Sequence, residues 1–344
     1  MKKLIGYMRG VNLGGWLSQG SKEKTHLDSF ITKDDIKRIK EELKCDHLRL
    51  PVDYEIIDNE GEIVESGFNY IESCINWCRE YNLNVVLDLH KTPGYVFDDI
   101  EGSKGFFGNL ELENRFLTIW DRLSKRFSKY TDMMMFEMLN EVTDSSYLEL
   151  WNDLALRCIK VIRNNAPKVK ILFGGVNYSS VASVKYIPEP YDENIVYNVH
   201  CYEPLIFTHQ GAYWVENMPR DFRISYPFKK EEYLTLLKKV PQAECGPFKN
   251  DPEKLIEKLG VDFFKEIFKE AVEYAEKNNV SLYCGEYGVI DLAEPKSSLR
   301  WLKDINTCFE EYGIGRAIWS YKEMDFGIIG DHYSSIYDEI INVL

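Results

Sequence analysis

Positive charge is what this chain of 344 residues is short of: 42 lysines and arginines stand against 56 aspartates and glutamates, for a net charge of -14. A phosphate backbone needs a basic face, so no nucleic-acid partner is expected. The same charge disfavours anionic membranes and acidic polymers, which leaves neutral substrates as the easier match. The N-terminus "MKKLIGYMRGVNLGGW" has two lysines but only a short, glycine-broken apolar run. It is neither a signal peptide nor a spanning helix, so a cytoplasmic location without a membrane partner is expected, and secretion only if an export leader has been removed.

Metal and disulfide patterns are missing too. No HExxH set occurs among the six histidines, and no cysteine pair has zinc-ligand spacing. Cys45, Cys74, Cys78, Cys158, Cys201, Cys245, Cys284 and Cys308 are scattered through hydrophobic stretches. They read as small core residues in a reducing compartment rather than as a disulfide framework. No GxGxxG opens a helix after a strand, and there is no repeat, low-complexity tract or interdomain linker.

What is present is a rhythm. "YMRGVN", "DHLRLP", "NVVLDLH", "MMMFEMLNE", "KILFGG", "NIVYNVHCY", "SLYCGEYG" and "GRAIWSY" are eight strand-like runs, most of them followed by an amphipathic helical pattern. "TKDDIKRIKEEL" adds a helix start, with Thr32 as N-cap and Asp35 at the third helical position. All-apolar strands alternating with helices mean a parallel sheet, and eight such units predict a single (β/α)8 TIM barrel over residues 1–344. A doubly wound sheet is the weaker alternative. The rhythm breaks from residue 203 to residue 260, where aromatics, prolines and charges predict a long insertion after strand six, a lid or wall over a substrate groove.

The site of such a barrel lies at the C-terminal ends of its strands. Reading those ends gives Arg49, Asp88 with His90, Asn140 with Glu141, His200 with Tyr202, Glu286, and Trp319. Each is a polar or amphipathic residue closing an apolar run. Glu141 closes strand four and Glu286 strand seven, so two carboxyls are expected across one pocket, the equipment for cleaving a glycosidic bond. One of them is expected to hold its proton because a like charge lies nearby. Neighbouring residues of a regular strand point opposite ways, so strand four must end or bulge for Asn140 and Glu141 both to face inward.

The strings "RGVNLGGW", "LRLP", "LDLH", "LNE", "NVHCY", "GEYG" and "AIWSY", in this order from residue 9 to residue 321, resemble glycoside hydrolase family 5. The resemblance implies retention of configuration, with Glu141 as acid/base and Glu286 as nucleophile. It implies that Asn140 holds the sugar 2-hydroxyl and that Arg49 and Tyr202 keep Glu286 ionised and aimed. His90 and His200 would bind hydroxyls and support the acid/base. Trp319 would be the sugar platform, carried on a non-proline cis bond to Ser320. Val142 and Tyr287 depart from the proline and phenylalanine many relatives carry there, without touching either carboxylate.

Glu137 and Asp88 read as structural carboxylates inside the barrel. Trp16, Tyr95, Phe207 and Trp214 are candidate sugar-stacking faces, with Trp214 preferred, and His209 is a candidate sugar contact. The expected activity is endo-acting β-1,4- or mixed-linkage β-glucan hydrolysis on a monomer, with no metal and no cofactor. An exo-β-1,3-glucanase or β-glucosidase is the rival, and a non-catalytic carbohydrate-binding barrel is the reading from another class.

Overall fold

All eight apolar runs form strands in the computed structural model, which describes residues 1–98, 105–243, 246–248 and 251–344. They are β1 (Gly10–Asn12), β2 (His47–Asp53), β3 (Asn84–Lys91), β4 (Met134–Glu137), β5 (Lys170–Gly174), β6 (Ile195–Cys201), β7 (Ser281–Tyr287) and β8 (Gly315–Ile318). Each pairs in parallel with the next, and β8 pairs with β1, closing the (β/α)8 barrel.

The outer layer holds α1 (Lys33–Glu41), α2 (Glu65–Glu80), α3 (Leu110–Phe127), α4 (Leu148–Asn165), α5 (Val261–Lys277), α6 (Pro295–Tyr312) and α7 (Tyr337–Val343). Helix α1 begins at the expected capping box: Thr32 Oγ1 accepts from the Asp35 amide while Asp35 accepts from the Thr32 amide. Between β5 and β6 the chain makes no full helix, only a distorted turn, Val176–Ser179, and a 3-10 stretch, Val181–Tyr186. Three buried indoles tie helices to strand ends. Trp120 donates to the Met138 carbonyl, Trp151 to that of Gly174 and Trp301 to that of Glu203. Rigid scaffolding therefore reaches the rim where the loops begin.

The period-2 side-chain alternation sorts the barrel interior into levels. Strand β3 turns Val86, Asp88 and His90 inward, and β6 turns Val196, Asn198 and His200. The lowest level is apolar, with Val86, Met135, Leu172, Val196, Tyr283 and Ala317 in one buried cluster. Above it Arg49, Asp88, Glu137 and Asn198 are all buried. The mouth lies above them.

The 203–260 insertion folds as short helices, Leu205–Thr208, Lys230–Leu237 and Pro252–Lys258. Its first part stays at the mouth, where Ile290 donates to the Thr208 carbonyl. Its second part packs outside: Tyr226 donates to Asp304 on α6, and Phe248 stacks on Phe263 of α5. The seven described cysteines are free and buried, and Cys245 lies outside the described residues. Among the described residues no helix is long and apolar enough to cross a membrane.

Candidate active site

Strand β4 ends at Glu137, and the chain beyond it runs irregularly, so Asn140 and Glu141 escape strand parity and both turn inward. The expected break in β4 is thus an ending. The segment is pinned from three sides. Asn140 N donates to the Leu89 carbonyl, Ser179 Oγ to the Asn140 carbonyl, and Tyr95 Oη to the Glu141 carbonyl at 2.9 Å.

The bulge lies instead in β7. Val199 pairs with Cys284 but His200 pairs with Glu286, so Gly285 is an extra residue. Cys284 and Tyr287 both belong to the helix-facing core. Were Gly285 a regularly paired residue instead of a bulge, Glu286 would fall on the helix-facing side with Cys284.

Arg49 sits at the centre of the assembled groups. Its Nη1 donates to Glu286 Oε1 at 2.7 Å and to Asn12 Oδ1 at 2.9 Å. Its Nε and Nη2 form a fork on Glu137 at 2.6 and 2.9 Å, and Nη2 also reaches Asn140 Oδ1 at 2.7 Å and Asp88 at 3.0 Å. Burial works against the charge, but Asp88, Glu137 and Glu286 reverse that and hold the guanidinium well above its ordinary value. Tyr202 Oη donates to the other Glu286 oxygen at 2.9 Å. Asn140 has its oxygen engaged by Arg49, which leaves the amide nitrogen to donate toward the pocket.

Glu141 lies against His200, Nδ1 to Oε1 at 2.6 Å. Burial pushes its carboxyl up to about 8, with Arg49 opposing and the Glu137 charge adding. The proton is therefore retained mainly by desolvation, and the like charge that helps is Glu137 beneath the site. This corrects the expectation that a nearby like charge is the chief cause. Burial lowers the His200 imidazole, which stays neutral. One oxygen each of Glu141 and Glu286, with a His200 nitrogen, all lie within 4.8 Å of one another. Two carboxylates and an imidazole so spaced could hold a divalent cation, and equally could carry out nucleophilic and acid/base chemistry with no metal.

The remaining expected residues divide. His90 hydrogen-bonds Asp88 at 2.5 Å and stacks on Trp319, ring centroids 5.8 Å apart and 7° from parallel. Burial depresses its imidazole to about 3. The Trp319–Ser320 peptide is cis. Trp214, 44% exposed, sits at the rim, edge-on to His209 and near Phe326, which in turn packs on Tyr202. His209 is buried against Tyr202, Trp214 and Phe326, a wedge behind the rim, and does not line an open face. Trp16 and Phe207 are core, and Tyr95 is a buried pin, so none of the three is a sugar-stacking face. Asp88 and Glu137 are interior carboxylates as expected. Asn12, Asn198 and Tyr178 were missed. The first two sit inside apolar runs with inward parity, which is a legible signal. Tyr178, half exposed, with a phenol raised by partial burial and then by the nearby Glu141 charge, carries none.

Two carboxyl groups facing each other at a barrel mouth, with Glu141 holding its proton, are the working parts of a glycoside hydrolase. Residues 12–325 match the model of the family described as Cellulase (glycosyl hydrolase family 5), and the chain belongs to that family. It is 40% identical over 346 residues to endoglucanase C of Acetivibrio thermocellus, covering 99% of this chain and 98% of that one. It is also 40% identical over 317 residues to cellodextrinase A of Ruminococcus flavefaciens, covering 92% and 86%. Among solved structures, the cellulose synthase subunit Z of Clostridioides difficile superposes with a TM-score of 0.77 at 26% identity, over 98% of this chain and 99% of that one. An endoglucanase of Thermotoga maritima gives 0.74 at 23% identity, over 98% and 97%, a likeness of fold.

Proposed function

We propose that the protein is a retaining endo-acting β-glucanase, cutting β-1,4-linked and mixed-linkage β-glucans by double displacement with Glu286 as nucleophile and Glu141 as acid/base. Glu286, held by Arg49 and Tyr202, attacks the anomeric carbon as Glu141 gives its proton to the departing glycosidic oxygen. A glycosyl ester on Glu286 results. Glu141, now a carboxylate, takes a proton from water, whose oxygen displaces Glu286 and restores both groups. Asn140 donates to the 2-hydroxyl and Trp319 floors the sugar at the cleavage point.

The observation that carries this reading is the spacing of the two acids, oxygens within 4.8 Å. Retaining pairs stand roughly 5–5.5 Å apart, whereas inverting pairs need roughly 6.5–9.5 Å to admit a water. Kinship with an endoglucanase and a cellodextrinase supports short cellodextrins and β-glucans as substrates. The insertion, with Trp214 at the rim, walls the groove as a lid on the substrate. We further assign a monomer, and a reducing compartment, the latter supported by the free, buried thiols.

The test is product analysis on cellotetraose, barley β-glucan, laminarin and mannan by wild type and Glu286→Gln. Wild type is expected to release internal fragments from the first two, and the variant to lose about four or more decades of rate, as loss of a nucleophile does. Hydrolysis by Glu286→Gln at the wild-type rate, or glucose alone from laminarin, overturns the reading.

A further inference from the structure

The bulge that aims Glu286 creates a debt in the sheet. Gly285 is skipped in the pairing with β6, and a register shift also separates Arg316 from Ile318 in the pairing of β8 with β7. Its amide and carbonyl are buried and must find partners. Two carboxamides supply them. Gly285 N donates to Asn198 Oδ1 at 3.1 Å, and Asn12 Nδ2 donates to the Gly285 carbonyl at 2.9 Å. Neither carboxamide is loose. Asn198 Nδ2 donates to Glu137 Oε1 at 2.8 Å, and Asn12 Oδ1 accepts from Arg49 at 2.9 Å. Arg49 and Glu137 then close the ring through their fork. All four side chains are buried. A Cβ on Gly285 would lie 2.8 Å from Asn198 Oδ1 and 3.1 Å from His200 Nε2, so glycine is needed for the close approach.

We propose that Asn198 and Asn12 are positioning residues for the nucleophile: with Glu137 and Arg49 they form a closed clamp on the Gly285 peptide, which fixes the bulge and so the aim of Glu286. Neither needs to touch substrate. The same guanidinium that holds the clamp holds the Glu286 carboxylate, so backbone and side chain of the nucleophile are set by one anchor. The proposal rests on Glu286 being the nucleophile.

The experiment is covalent trapping with 2,4-dinitrophenyl 2-deoxy-2-fluoro-β-cellobioside. A Glu286 oxygen bonds to the anomeric carbon as the bond to dinitrophenolate breaks, so no acid is required and the rate reads the nucleophile alone. Asn198→Ala is expected to trap about 100-fold more slowly, the cost of a misplacement near 1 Å, and Asn12→Ala similarly, so the outcome does not hang on one variant folding. Val199→Ala, a cavity on the helix-facing side of the same strand, is expected to lower Tm while trapping within about threefold of wild type. Trapping of both asparagine variants within threefold of wild type overturns the clamp. A wild-type label that maps away from Glu286 overturns the underlying assignment instead.

Discussion

Glu141 and Glu137 are four residues apart and have opposite tasks. Glu141 must keep a proton near neutrality. Glu137, below it, neutralises part of Arg49 and lends its charge to raise Glu141. Because Glu141 acts first as an acid, activity is expected to persist while it is protonated and to fall as pH rises through about 8. The kcat/KM profile reports the free enzyme. Glu137→Gln removes a negative charge and leaves Arg49 less neutralised. Both changes favour the Glu141 carboxylate, so the alkaline limb is expected to move to lower pH. A limb that stays put, or moves up, in a folded variant would show that Glu137 does not tune the acid.

At the scale of elements, the strands were legible because each apolar run is bounded and most of them end on a polar group such as His90 or Glu286. The helix start at Thr32 was legible because its capping partner lies three residues on. The bulge at Gly285 was not, since parity breaks only when β7 is set beside β6 and β8. The missing helix between β5 and β6 left no clear trace either, because "VASVKY" has the composition of an ordinary helical turn. The insertion was visible as a loss of rhythm, but its split between a rim and an outer buttress depends on contacts far along the chain, such as Tyr226 with Asp304. Trp214 belongs to the rim part. Trp214→Ala is expected to raise KM for cellotetraose about fivefold, on the order of 1 kcal/mol of lost stacking, with kcat on an aryl β-cellobioside and Tm both unchanged. An unchanged KM would remove Trp214 from the groove.

The whole molecule carries a net charge of -14. An anionic derivative of its substrate is therefore repelled on approach, and salt relieves that repulsion over a screening length of about 10 Å at 0.1 M. The rate on dilute carboxymethylcellulose is expected to rise with ionic strength, while the rate on neutral barley β-glucan stays flat. Equal salt dependence for both would mean that long-range charge plays no part in substrate capture.

The dry cysteines described above have a practical consequence. Burial pushes the Cys45 and Cys308 thiols up to about 12 and raises Cys158, Cys201 and Cys284 as well, so attack on a chromogenic disulfide must wait for the chain to open. Ellman's reagent is expected to find at most one reactive sulfur per native molecule and all eight in denaturant. The slow release of colour between those limits is a built-in stopwatch for unfolding, readable with no engineered label on the chain.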